Sequence, residues 1–165
     1  MAGLRSGSAR PGDLLLHPVV LMALAVLVVN DHLLKVAWPG WLSGKLSDFA
    51  GMVLFPCLLL AAYELGGQGL AALAGRRVAF TRRPGLLCAC ALATGMIFSL
   101  VQLWPPAGEA YRLVWGAFGR ILFEGQPLRA HLTADPTDLC ALPFAALPCW
   151  LENGVRSTRF ITVAG

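Results

Sequence analysis

The sequence predicts an all-α integral membrane protein: a bundle of four transmembrane helices, with an interfacial amphipathic helix between the third and the fourth. Three observations carry this. Of the 165 residues, 57% are hydrophobic and only 13% are charged, with a mean hydropathy of +0.67. A soluble domain carries about 25% charged residues, and a chain this short cannot hide so much apolar surface in one core. Second, the apolar residues fall into long runs separated by polar or Pro/Gly-containing stretches. Third, the arginines cluster in segments that such runs place on one side. The same composition excludes a disordered chain and disfavours a soluble enzyme with a broad polar surface.

A span needs about 20 mostly apolar residues to cross about 30 Å of hydrocarbon. The whole chain reads as one polytopic domain, with spans at about 14–37, 47–65, 85–104 and 136–151. The first runs apolar from Leu14 to Val29, with no breaker before Trp38-Pro39-Gly40. A cleaved leader is its competing reading, with Arg5 and Arg10 ahead of it and Ala23-Leu24-Ala25 as a cleavage-like string. The run continues through Val26-Leu27-Val28-Val29, which fits a retained anchor. The second starts near Ser47 or Asp48 and ends near Glu64, ahead of Gly66-Gly67. The third contains one amide, Gln102. The fourth is short and carries Pro143 and Pro148, which a membrane helix tolerates when neighbours satisfy the freed carbonyls. Between the last two spans, Glu109, Arg112, Arg120 and Glu124 line one side of a helix that is otherwise apolar, with Arg120 and Glu124 spaced to pair. Such a helix suits the outer interface.

Basic residues set the orientation. Arg5, Arg10, Arg76, Arg77, Arg82, Arg83, Arg156 and Arg159 share one side in a four-span layout. The other side has Lys35, Lys45, Arg112, Arg120 and Arg129, nearly cancelled by acids. Both termini are therefore expected in the cytoplasm, in a multi-pass membrane protein. Trp38, Trp41 and Trp104 fall at the outer boundary and Trp150 at the inner one, as membrane-interface belts favour. The five cysteines, Cys57, Cys88, Cys90, Cys140 and Cys149, all fall within predicted spans and read as small packing residues.

Polar chemistry gathers at the outer end: Asn30, Asp31, His32, Lys35, Lys45, Asp48, His131, Asp135 and Asp138. Ionisable groups at the hydrocarbon edge are costly unless paired, so they form the candidate site. Local structure accounts for several of them. Asp31 and Lys35 are spaced i,i+4 for a helix ion pair, and Lys45 and Asp48 i,i+3. Asp135-Pro136-Thr137-Asp138 reads as a helix start with Asp135 as N-cap. Asp48 is expected in the first turn of its span, where the helix dipole favours an acid. Functionally, a carboxylate beside His32 offers acid–base chemistry, and Lys35 and Lys45 offer point charges for an anionic headgroup. Two or three aspartates with His32 could hold a divalent ion, but the ligand spacing is not diagnostic; no metal and no cofactor are expected. The two halves also echo one another: each has an outgoing span that ends at Trp-Pro (Trp38-Pro39, Trp104-Pro105). A returning span then opens with a hydroxyl and an aspartate (Ser47-Asp48, Thr137-Asp138).

Through Asn30-Asp31-His32-Leu33-Leu34-Lys35, the string from Pro39 to Gly51 and Asp135-Pro136-Thr137-Asp138-Leu139, the chain resembles a group of small, uncharacterised bacterial multi-span membrane proteins. This covers most of the chain and implies a membrane location without an activity. In layout the chain is also similar to VanZ-like proteins, which carry acidic and His motifs near span ends. It departs from them in that His32 precedes the Lys45–Asp48 pair. The expected function is a non-enzymatic membrane protein whose outer Asp/His/Lys patch binds a polar headgroup or a partner subunit. The alternative is an envelope enzyme acting on a lipid-linked substrate through Asp/His acid–base chemistry. Expected partners are the lipid bilayer and either a membrane subunit or a second copy of the chain; no nucleic acid is expected.

Overall fold

The computed structural model describes residues 10–38, 40–76, 79, 80, 83, 85–122 and 134–152, and among them every regular element is helical. Three helices are long and apolar enough to cross a membrane: α1 (Pro18–Ala37), α2 (Trp41–Leu73) and α3 (Leu86–Leu103). They are followed by α4 (Pro105–Leu122) and by a 3-10 helix, Pro136–Ala146, which continues as α-helix over 147–152.

Helix α1 begins at Pro18 rather than Leu14, because the residue before a proline is driven into extended backbone. His17 has φ −65° and ψ 134°, and its Nδ1 accepts a hydrogen bond from the Val19 amide at 3.3 Å. Asp13–Leu16 form a separate 3-10 turn ahead of it. Within α1 the winding loosens to a π-helix over Asn30–Leu34 and returns to α for Lys35–Ala37.

Helix α2 is longer at both ends than the predicted 47–65. It starts at Trp41, where the Ser43 hydroxyl donates to the Gly40 carbonyl at 2.9 Å and accepts from the Gly40 amide at 3.3 Å. Its 33 residues pass through Gly66-Gly67 without a break. A helical glycine costs only about 1 kcal/mol relative to alanine, too little to stop an otherwise continuous helix. The end comes at Gly75, with φ +69°. The Arg76 amide donates to the Ala71 carbonyl at 2.9 Å and the Gly75 amide to Ala72 at 3.0 Å, the paired closure of a Schellman cap. One expectation is corrected by the early start: Asp48 stands about two turns inside α2, beyond the reach of the N-terminal dipole.

Helix α2 is the hub, packing against α1, α3 and the C-terminal 3-10 helix. Val20, Leu54, Cys57, Leu60 and Leu87 form one buried cluster, and Met52, Ala91, Ala141 and Ala145 another. Over half of the apolar stretch of α2 is buried (56%), against 11% for α1 and 28% for α3. The outward faces of α1 and α3 are apolar too, with Met22, Leu92 and Met96 each more than three-fifths exposed. Side chains of this kind gain about 1.5–3 kcal/mol each on leaving water, so lipid is their natural solvent.

Helix α4 follows α3 directly, the chain turning at Trp104 (φ −121°, ψ 107°). Tyr111, Trp115 and Phe118 stack along it, with ring centroids 6.3 and 5.8 Å apart. Arg112 pairs with Glu109 at 2.7 Å. Arg5, Arg77, Arg82, Glu124, Arg129, His131, Arg156 and Arg159 lie outside the described residues, and with them the expected Arg120–Glu124 pair.

Candidate functional site at the polar end of the bundle

The C-terminal part of α1, the start of α2, the end of α3 and the start of the 3-10 helix meet at one end of the bundle. Two hydrogen-bond networks join them, both anchored on the first two turns of α2.

The first joins α1 to α2. Asn30 is fully buried, and its Nδ2 donates to the Ser43 carbonyl at 2.6 Å and to Ser47 Oγ at 2.7 Å. Facing a carbonyl, that atom has to be the amide nitrogen, which fixes the side chain's orientation. Ser47 Oγ donates to Asp31 Oδ1 at 2.8 Å, and Asp31 pairs with Lys35 at 2.7 Å, the i,i+4 pair the spacing predicts. Asn30 Oδ1 is buried with no hydrogen-bond partner among the described residues.

The second joins α2 and α3 to the 3-10 helix. Lys45 is only 3% exposed. Its Nζ donates to Asp138 Oδ1 and, at 2.5 Å, to Thr137 Oγ1, lies 3.6 Å from Asp135 Oδ2, and sits 5.5 Å above the Trp41 ring. Gln102 closes the network: its Nε2 donates to Asp138 Oδ2 at 2.8 Å, and its Oε1 accepts from the Asp135 amide at 3.1 Å. Asp135 is the N-cap that the sequence predicts, accepting from the Thr137 amide at 2.9 Å. That donor, first of all, holds the Asp135 carboxyl below its ordinary value. Lys45 therefore does not form the predicted local pair with Asp48. It reaches 93 residues along the chain to Asp138, because the 3-10 helix packs against α2 on the side that Lys45 faces.

Asp48 neighbours the Asp138 carboxyl and is half-buried. It also lines a cleft of about 320 Å³ between α2 and α3. Ser47, Asp48 and Gln102 make the polar end of this cleft; Met52, Phe55, Leu59, Ile97, Phe98 and Val101 make its walls; Tyr111 contributes from α4.

The predicted site residues thus divide. Lys45, Asp48, Asp135 and Asp138 converge. Asp31 and Lys35 form the adjoining network through Ser47. His32 stands apart: it is exposed, and its Nδ1 is 3.0 Å from the Val28 carbonyl of its own helix. Both lysines are already committed to carboxylates, so neither offers the free point charge that an anionic headgroup requires. Among the described residues, the carboxyls of Asp48, Asp135 and Asp138 here face the one ammonium of Lys45. Among the described residues, no group of three or more His, Cys, Asp or Glu side chains is placed to hold a metal ion.

The parts played by Gln102, Thr137 and Ser43 escape a reading of the sequence. The one signal for them is the echo between Ser47-Asp48 and Thr137-Asp138, since these two pairs lie near the starts of two helices that meet here. At the opposite end, buried Glu64 accepts from the Gly12 amide at 2.9 Å and ties the start of the chain to α2. No family model, no curated protein and no solved structure matches the chain.

Proposed function

We propose that the chain is a four-span membrane protein that catalyses no reaction and holds the polar headgroup of a membrane amphiphile at Asp48. One observation carries this reading. Asp48 is the acid that no lysine of the site takes up, and it stands at the polar end of an otherwise apolar cleft. Pockets that combine apolar walls with a few placed polar groups are the usual form of small-molecule sites.

The geometry of the last segment supports the fourth span. Eleven residues of 3-10 helix rise about 2.0 Å each, and the six α-helical residues after them about 1.5 Å each. Together they reach roughly 30 Å, the thickness of the hydrocarbon core. Four spans bring the two termini to one side, and the arginine distribution makes that side the cytoplasm. The polar end then faces outward, with α4 lying in the outer interface, its aromatic ladder among the headgroups. The resemblance to small bacterial multi-span proteins supports the bacterial inner membrane as the location.

The test is lipid retention. The wild-type protein and the Asp31→Asn, Asp48→Asn and Asp138→Asn variants are extracted in mild detergent and their bound lipid is quantified by native mass spectrometry. Asp48→Asn is expected to lower retention in a graded way while leaving the Lys45 network intact. Equal retention in all four proteins dismisses the site. The adjacency of the Asp48 and Asp138 carboxyls favours the enzymatic alternative, in which one substitution abolishes formation of a chemically altered lipid in cells expressing the folded protein.

A further inference from the structure

We infer that the occupant of the cleft between α2 and α3 is a single-chain amphiphile with a cationic, amine-type headgroup. This rests on the headgroup reading above and adds to it the chemistry of both ends of the ligand. At about 320 Å³ the cleft lies at the small end of ligand sites, which run from about 300 to 1,000 Å³. It has room for one tail and not two. Its long walls (Met52, Phe55, Ile97, Phe98) are apolar from the polar end inward, as an alkyl chain requires.

The headgroup end is acidic. Asp48, Asp135 and Asp138 lie around a single ammonium, that of Lys45, which is sealed from solvent by its contacts with two of them, with Thr137 and with Trp41. Lys35, the other lysine whose charge reaches Asp48, is neutralised by Asp31. A phosphate would bring negative charge to this place, where both lysines among the described residues are already paired with carboxylates. An ammonium would bring a cationic donor to Asp48, whose carboxyl borders that of Asp138, and offset the excess of carboxyls. Complementary charge of this kind selects one partner and rejects the other. Ser47 and Gln102, beside Asp48, are already hydrogen-bonded within the protein, so they frame the headgroup position and leave Asp48 as the group that discriminates.

The experiment uses the full-length protein in phosphatidylcholine nanodiscs. Three diazirine-tailed probes, a dodecyl amine, a dodecyl alcohol and a dodecyl phosphate, are photolysed at equal concentration and the labelled peptides mapped. The amine is expected to label residues 51–59 and 94–101 roughly tenfold more than the phosphate, the factor that a charge-assisted hydrogen bond is worth. Asp48→Asn should remove that preference, and Ile97→Trp, at a half-exposed wall position, should lower labelling by all three probes. Equal labelling by the three, unmoved by Asp48→Asn, is bulk lipid contact and overturns the inference. Preferential labelling by the phosphate or the alcohol overturns the amine assignment and leaves headgroup binding standing. Absence of label from both peptides with every probe overturns the cleft and the headgroup reading together.

Discussion

Lys45 shows how a charge is kept within a membrane-spanning helix. Burying an ammonium costs several kcal/mol unless its donors are met, and here two carboxylates, a hydroxyl and an indole face meet them. Removing one partner of such a pair is far worse than removing both. Lys45→Met is expected to destabilise the protein clearly, and the double variant Lys45→Met/Asp138→Leu by much less. Unfolding by sodium dodecyl sulfate in mixed micelles measures both; a double variant as unstable as the single one sinks the ion-pair account. Legibility also differs between residues. The Asp31–Lys35 pair follows from spacing, because i,i+4 neighbours share one face of a helix. The Lys45–Asp138 pair crosses between helices, and no local rule selects it over Asp48.

Among the elements, the 3-10 helix departs most from the expected spans. Its eleven residues far exceed the usual three or four. Pro143 and Pro148 remove amides that a regular α-helix needs, and the tighter winding lengthens the segment. Replacing Pro143 and Pro148 by alanine is expected to let the segment relax to α-helix and to shorten it by about 5 Å. Distances between spin labels placed at residues 134 and 152 report the change; an unaltered distance shows that the prolines do not set the winding. The boundaries of α2 moved for a related reason. Ser43 supplies a cap at Gly40 that the more conspicuous Ser47-Asp48 start signal obscures, and two glycines inside an apolar run weaken a helix without ending it.

At the scale of the whole molecule the layout can be tested directly. In a background with all five cysteines replaced, Leu42→Cys, exposed at the start of α2, should react with an impermeant maleimide added to intact cells, and Ser157→Cys should not. The reverse result places the polar end, Asp48 and the cleft in the cytoplasm. Labelling of both sites rules out a fourth span.

What the sequence determined by itself is the apolar solvent, the rough place of the three long apolar helices, and the gathering of polar residues at one end. These depend on composition and on position along each segment, which are local properties. Which charge meets which, the exclusion of His32 from the Lys45 network, and the place of Asp48 at a cleft are decided by tertiary structure. The physical reason is the apolarity of the helices themselves. In water a helix announces its inward face by an apolar stripe. Helices α1 and α2 are apolar nearly all round, so nothing in their pattern says which side turns inward. Only the packing of α1, α3 and the 3-10 helix around α2 sets those rotations, and with them the partners of Asn30, Lys45 and Asp48.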